Sequence, residues 1–403
     1  MVGKIDKNWK FETAVLNEGA YFNLDASHPE ALPIHMSTAH NVNDLTDLEA
    51  RYAIRGYCYN RNRNPNRTAL NELMTYLEGG EASIACSSGM AAISSAVIAC
   101  TKAGDHILSD RTLYGEAIEI FTDILSKYGV TTTFADFTDI EDVRSKIQEN
   151  TVLLYTETVS NPLCAVPDLQ AIADLAHSHD CKLIVDNTFM TGALVKPLAL
   201  GADIVVNSLT KFANGHSDAV CGAVTGSEEI IRSIYNLQVL LGTQADPFSS
   251  WLVCRGIRTI DLRVKKQARN AAALAAALEK SPYTVKVNHP SLASCPQHEV
   301  AEKEFGPYYG GMLSFEFPDE DRAKMDTFLR TLNIAHYAMT LGGYRTTLSY
   351  PPLSSHENVP EEERLAMGIK NTLIRVSVGI EDEEDLVKDF LNALETAYGS
   401  KNE

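Results

Sequence analysis

The 403-residue sequence contains no Cys-x-x-Cys pair. Its eight cysteines, Cys58, Cys86, Cys100, Cys164, Cys181, Cys221, Cys254 and Cys295, are scattered through apolar segments. That argues against a zinc site, which needs clustered Cys and His ligands. They read instead as free thiols in a reducing cytoplasm, several of them core residues. No apolar run is long enough to span a bilayer, and Met1-Val2-Gly3-Lys4-Ile5-Asp6-Lys7 leads into polar sequence without an apolar signal core. Basic charge is scarce as well. Against 53 Asp and Glu stand 35 Lys and Arg, a formal net charge of -18. Such a chain repels phosphate backbones and anionic membranes, which argues against nucleic acid and membrane partners. Internal repeats and low-complexity segments are absent.

What is present is an ordinary globular composition, 45% hydrophobic and 22% charged. The length is ample for a large core and suggests two or three structural units. Residues 1–62 lack sustained periodicity and carry scattered Asn, Pro and Gly, so they read as an extended arm. Over residues 63–255 apolar segments alternate between helical and strand-like spacing. Helices are predicted at Leu70–Leu77, ending at Gly79-Gly80, at Met90–Cys100, Ile118–Tyr128 and Leu169–His179. Strands are predicted at Ala82–Ala85, His106–Leu108, Thr131–Ala135, Val152–Thr156, Lys182–Val185 and Asp203–Val206. This order implies an α/β fold with a mostly parallel sheet flanked by helices. Residues 256–403 differ. A long Ala-rich helix, Asp261–Leu278, is expected to bridge two domains. The alternating strands Met312–Phe317 and Leu373–Val378 and the helices Glu320–Leu332 and Glu383–Tyr398 follow, a pattern suited to a smaller α+β domain.

Four features of the larger unit carry chemistry. Ser87-Ser88-Gly89-Met90 lies between a strand and a helix. The glycine allows close approach, and the helix start offers free N–H groups to an anion. Alone, it reads better as an ordinary N-cap serine. Asp186 follows the strand Leu183-Ile184-Val185, where carboxyl ends of parallel strands border the usual ligand crevice. It could hold a pyridine nitrogen protonated, or simply cap a turn. Lys211, in Ser208-Leu209-Thr210-Lys211, follows a buried strand. Desolvation there would make it nucleophilic toward an aldehyde, although a surface loop lysine is the plainer reading. The Ser208 and Thr210 hydroxyls could reach the same phosphate. Tyr114 sits in a Leu-Tyr-Gly turn, where its ring could stack on a heterocycle and its hydroxyl could move a proton. A core tyrosine would look the same.

At these residues the sequence resembles the Cys/Met-metabolism enzymes that use pyridoxal 5'-phosphate (PLP), the cystathionine γ-synthase and methionine γ-lyase group. The resemblance runs nearly the whole chain. It is carried by Leu77-Glu78-Gly79-Gly80-Glu81-Ala82, Ser87-Ser88-Gly89-Met90-Ala91-Ala92-Ile93, Asp110-Arg111-Thr112-Leu113-Tyr114-Gly115 and Glu157-Thr158-Val159-Ser160-Asn161-Pro162. Val185-Asp186-Asn187-Thr188-Phe189, Arg255-Gly256-Ile257-Arg258-Thr259 and Arg375-Val376-Ser377-Val378-Gly379 extend it. The most specific piece is Ser208-Leu209-Thr210-Lys211-Phe212-Ala213-Asn214-Gly215-His216.

The resemblance implies an aspartate-aminotransferase-like fold, PLP fold type I, and a homotetramer of two close dimers with shared active sites. It implies that Lys211 holds PLP as a Schiff base, Asp186 pairs with the pyridine nitrogen and Tyr114 stacks on the ring. Ser88, Gly89, Met90, Ser208 and Thr210 would bind the phosphate, together with Tyr59 and Arg61 of a neighbouring subunit. Asn161 would lie near the ring hydroxyl. Arg375 would clamp the substrate carboxylate, with Thr340, Glu116 and Tyr59 also near the substrate. Lys211 would move the α- and β-protons, and Tyr114 would protonate the leaving group. The implied reaction is γ-elimination, releasing a 2-oxo acid and ammonia, with γ-replacement by a synthase or sulfhydrylase as the alternative and β-elimination as a third option.

Several positions depart from the family pattern. Glu116 stands where methionine γ-lyases carry a cysteine, and Leu241 where they carry an Asp. Arg345 replaces an acid in Thr340-Leu341-Gly342-Gly343-Tyr344-Arg345-Thr346, and Met339 stands where many cystathionine enzymes have a Glu. These departures argue against a standard methionine γ-lyase and away from cystathionine as main substrate. A carboxylate at Glu116 would suit a substrate with a polar or cationic distal end, unless it pairs with Arg61 or Arg345 or is merely solvated.

Overall fold

The computed structural model describes residues 9–17, 29–54, 56–357 and 359–399. Seven strands build the first sheet: β1 (Ala82–Cys86), β2 (His106–Asp110), β3 (Thr131–Ala135), β4 (Thr151–Glu157), β5 (Lys182–Asp186), β6 (Ile204–Ser208) and β7 (Gly222–Gly226). Their order across the sheet is β1-β7-β6-β5-β4-β2-β3. Neighbours run parallel except where β7 meets β1 and β6, which it pairs antiparallel. Helices cover both faces of such a sheet, so its strands are apolar throughout rather than alternating. Leu183, Ile184 and Val185 on β5 are all fully buried.

The second sheet comprises β8 (Lys286–Asn288), β9 (Met312–Glu316), β10 (His336–Tyr337), β11 (Thr347–Ser349) and β12 (Leu373–Ser377). Its order is β10-β11-β12-β9-β8, and its pairing is antiparallel apart from β10 with β11. The 20-residue helix Ile260–Glu279 joins the two cores. Ile260 and Val264 pack with Leu209 and Phe212 of the first unit, whereas Leu274 and Leu278 pack with Leu313 and Val376 of the second sheet. The α/β class, the mostly parallel sheet and the smaller mixed unit follow the sequence expectation.

Several local expectations need correction. The arm contains two helices, Phe11–Asn17 and Leu45–Ala53, the second capped by the Asp44 carboxylate accepting from Asp47 N–H. Residues 1–8 and 18–28 of the expected arm lie outside the described residues. The helix expected over 118–128 is a short α-helix, Gly115–Glu119, then one π turn, Ile120–Ile124, and one 3-10 turn, Leu125–Tyr128. On β9 the expected in–out alternation is absent, for all five residues are buried. Its polar members are satisfied from neighbours: Asn288 Nδ2 donates to Ser314 Oγ at 3.0 Å, and Lys370 Nζ pairs with Glu316 at 2.9 Å. Strand β7 and the helices Glu228–Leu241 and Pro247–Ile257 escaped the sequence reading. All eight cysteines are free thiols. Among the described residues no helix is long and apolar enough to cross a membrane.

Candidate active site

A cavity of about 300 Å³ opens at the carboxyl ends of β4, β5 and β6. This is where the strand ends of an open α/β sheet leave room for a ligand. Its floor is acidic. Asp186, the last residue of β5, is buried, and its Oδ1 accepts from Thr188 N–H at 2.9 Å. Glu157, the last residue of β4, is in register with it across the parallel ladder. Burial, foremost, pushes both carboxyls up from their ordinary range; the charge of Asp186 raises Glu157 further, whereas hydrogen bonds from Thr188 hold Asp186 down. Among the described residues no Lys, Arg or His side chain forms an ion pair with Asp186. A cationic ring nitrogen would supply the missing partner.

One wall is an anion cradle. The helix Gly89–Cys100 starts here, and Ser88 caps it by accepting from Ala91 N–H at 3.0 Å. The N-cap reading of Ser88 is therefore correct, and its hydroxyl proton remains available to a second group. The first-turn amides of Gly89 and Met90 have no carbonyl partner inside the helix. Gly89 is required by space: a Cβ would lie 2.7 Å from the Cβ of Ser208. Ser208 ends β6 and faces the same cavity. Thr210 also lines it, but its hydroxyl already donates to Cys221 O at 3.2 Å and accepts from Cys221 N–H at 3.1 Å. Thr210 therefore holds the lysine loop against Cys221, the residue before β7, and it can offer an anion only its remaining lone pair or a turned hydroxyl.

Lys211 is half-buried, three residues beyond the end of β6. Burial lowers its pKa, the nearby charge of Arg375 lowers it further, and Glu116 acts in the opposite sense. A larger fraction of neutral amine follows. Tyr114 lines the opposite wall. Burial, and then the charge of Glu116, push its phenol well above the ordinary value. It thus stays protonated at neutral pH. Arg375 comes from β12 of the second sheet and is 6% exposed. Its Nη1 donates to Asn161 Oδ1 at 3.0 Å. Burial lowers the Arg375 pKa to about 10, so it remains cationic. Met339, Thr340 and Glu116 line the mouth.

The chain folds so that Ser88, Gly89, Met90, Tyr114, Glu116, Asn161, Asp186, Ser208, Thr210, Lys211, Thr340 and Arg375 share one cavity. It does not bring Tyr59 or Arg61 there. Arg61 Nη1 donates to Val239 O at 2.6 Å, and its guanidinium lies over the Tyr59 ring, away from the cavity lining. Leu241, 54% exposed at the end of its helix, and Arg345, stacked over Tyr344, also lie outside the lining. Glu157 escaped the sequence reading, although the argument that selected Asp186, a carboxylate ending a buried parallel strand, applies to it equally. Ser354 and Ser355 line the cavity from an irregular loop and carried no sequence signal.

An uncompensated buried acid, an amine of lowered pKa, a protonated phenol and a cradle of helix amides are the donor set that PLP requires. The family model for the Cys/Met metabolism PLP-dependent enzymes matches residues 12–395. The chain belongs to that family. It is 38% identical over 391 residues to an L-methionine gamma-lyase of Porphyromonas gingivalis, covering 96% of this chain and 97% of the relative. It is 43% identical over 341 residues to a cystathionine gamma-lyase of Bacillus subtilis, covering 84% and 89%. Among solved structures, cystathionine gamma-lyase from Lactobacillus plantarum complexed with L-serine superposes with a TM-score of 0.90 at 33% identity, covering 98% of this chain and all of that one. A cystathionine gamma synthase from Xanthomonas oryzae pv. oryzae superposes with a TM-score of 0.91 at 32% identity, covering 96% and 98%. Fold type I and PLP dependence follow from this membership and from the sheet order.

Proposed function

We propose that this enzyme eliminates a γ-heteroatom substituent from an amino acid of the methionine, homocysteine or homoserine type, releasing a 2-oxo acid and ammonia. The observation that carries the reading is that Lys211, Tyr114 and Arg375, drawn from three separate elements, face one cavity. Lys211, Asp186, Ser88, Gly89, Met90, Tyr114, Asn161, Ser208 and Thr210 would hold PLP, with Tyr59 and Arg61 of a neighbouring subunit. When bound, PLP supplies an electrophilic aldehyde and a ring that draws electrons from the bonds at the substrate α-carbon.

The protein's own groups do the rest. Arg375 grips the α-carboxylate with its planar fork. The neutral amine of Lys211 would take the α-proton, hand it on, and, neutral again, take the β-proton. Tyr114, held protonated, gives its proton to the heteroatom as the Cγ–heteroatom bond breaks. Asp186 would pair with the ring nitrogen and keep it protonated. Water then releases ammonia and the 2-oxo acid. A second reading, γ-replacement, is favoured by the superposition on a cystathionine gamma synthase. There an incoming thiol would take the place of the lost substituent.

Glu116 bears on the substrate. It lines the cavity beside Tyr114, while Arg61 and Arg345, its possible intrachain partners, are engaged elsewhere. This supports a substrate with a polar or cationic distal group. The exposed Met36, Leu45 and Ile54 of the arm support a homotetramer with shared sites, and the free thiols support a cytoplasmic setting.

Ammonia release measured across amino acids with different γ-substituents, with and without an added thiol, tests the reading. Elimination gives ammonia and 2-oxobutanoate, whereas replacement gives a new thioether. Lys211→Ala should lower turnover by about a thousandfold. Glu116→Ala should lower the rate on cationic substrates more than on methionine. Equal relative rates in both proteins would remove the distal-charge reading. Undiminished turnover by Lys211→Ala would overturn the whole.

A further inference from the structure

Glu157 ends β4 at the floor of the cavity, 8% exposed. Both of its oxygens are engaged, and by two different loops. Oε1 accepts from the Tyr114 N–H at 2.9 Å, and Oε2 accepts from the Asn161 N–H at 3.1 Å. Tyr114 opens the helix Gly115–Glu119. Asn161 passes the connection on, its Oδ1 accepting from Arg375 Nη1 at 3.0 Å. One carboxyl group therefore ties the loop after β2 to the loop after β4 and, through Asn161, to β12 of the second sheet.

We propose that Glu157 is a positioning residue for the reaction: it sets the separation between the Tyr114 phenol and the Arg375 guanidinium, and so where the leaving group lies relative to the substrate carboxylate. The proposal rests on the elimination reading for the roles of Tyr114 and Arg375. The chemistry of the side chain supports it. Two buried N–H groups need two acceptors, and a carboxyl group presents one on each side. An amide replaces one acceptor with a donor, leaving either the Tyr114 or the Asn161 amide facing another N–H. Burial, then Asp186 and Asp110, raise the Glu157 pKa, while the hydrogen bonds from the Tyr114 and Asn161 N–H groups act to lower it.

The test compares the wild-type holoenzyme with Glu157→Gln. For the best γ-substituted amino acid, KM should rise about tenfold and kcat fall severalfold, with PLP still bound in full by its visible absorbance. The KM penalty should shrink when the substrate α-carboxylate is replaced by a primary amide, which Arg375 cannot grip as a fork. A purely structural defect would lower the unfolding midpoint and leave KM unchanged for both substrates. Wild-type kcat and KM in the Glu157→Gln holoenzyme would overturn the proposal. Should Glu157→Gln not fold, Glu157→Asp keeps both acceptors and withdraws them by one methylene. The same split is expected from it, and wild-type constants would overturn the proposal equally. If the wild type itself releases no ammonia, the elimination reading fails, and methionine binding, followed by the change in visible absorbance, becomes the readout. An unchanged Kd in Glu157→Gln would then overturn the positioning role separately.

Discussion

Glu78 shows how much one side chain can decide. It closes the helix Pro65–Glu78 and is completely buried. Asn187 Nδ2 donates to its Oε2 at 2.9 Å, while Asn207 Nδ2 and Gly192 N–H each donate to Oε1 at 3.0 Å. Asn187 and Asn207 adjoin Asp186 and Ser208, so Glu78 binds from behind the two strand ends that border the cavity. Burial pushes its pKa up to about 7 despite these donors. Because the folded value lies above the unfolded one, the native state holds this proton longer. The group's stabilising contribution is fully present below the unfolded pKa and is lost as pH rises to about 7. Glu78→Gln should fold, since the amide has the shape and neutral charge of the protonated acid and keeps one carbonyl acceptor for the buried donors. The apoenzyme melting temperature should fall between pH 5 and 7.5 by about 2–4 °C more in wild type than in Glu78→Gln. Parallel pH profiles would show that Glu78 does not titrate in this range.

At the scale of elements, β7 explains why the cradle lies where it does. It runs antiparallel between β6 and β1 and carries Gly222 opposite Ser208 and Cys86. A Cβ on Gly222 would lie 2.1 Å from Ser88 O, so the bare backbone of β7 is what lets the Ser88-Gly89 turn approach the lysine loop. Gly222→Ala should destabilise the protein by about 1–3 kcal/mol through overpacking. It should also raise the apparent Kd for PLP by about tenfold. Calorimetry and PLP titration check both, and unaltered PLP affinity would detach β7 from the site. The sequence concealed β7 because Gly-Ala-Val-Thr-Gly is short and bounded by glycines, a pattern that reads as a loop. The helices Glu228–Leu241 and Pro247–Ile257 had legible starts, Ser227 accepting from Ile230 N–H and Asp246 accepting from Phe248 N–H.

At the scale of the whole molecule, Tyr59 and Arg61 lie on the surface of a chain whose own cavity they do not reach. If they complete a neighbour's site, two inactive subunits can repair each other. Lys211→Ala supplies an intact Arg61, and Arg61→Ala supplies an intact Lys211. Unfolded together and reassembled, the mixture should regain activity at about a quarter of the wild-type sites, as random pairing of subunits predicts. No recovery, with mixed oligomers demonstrated, would confine the site to one chain. Charge acts at this scale too, since -18 spread over the surface favours dispersal of assembled particles.

The sequence by itself determined the layering, the parallel sheet and the joining helix, and it singled out Lys211, Asp186, Ser88, Gly89, Tyr114 and Arg375, which the fold brings to one cavity. Helical and strand periodicities are local, and motifs keep their order along the chain. Only the tertiary structure decided that Glu157 joins Tyr114 to Asn161, that Thr210 is engaged by Cys221, that Glu116 faces the cavity, and that Tyr59 and Arg61 do not. Those facts depend on where residues far apart in the chain come to rest, and hydrogen bonds between distant loops leave no period in the sequence.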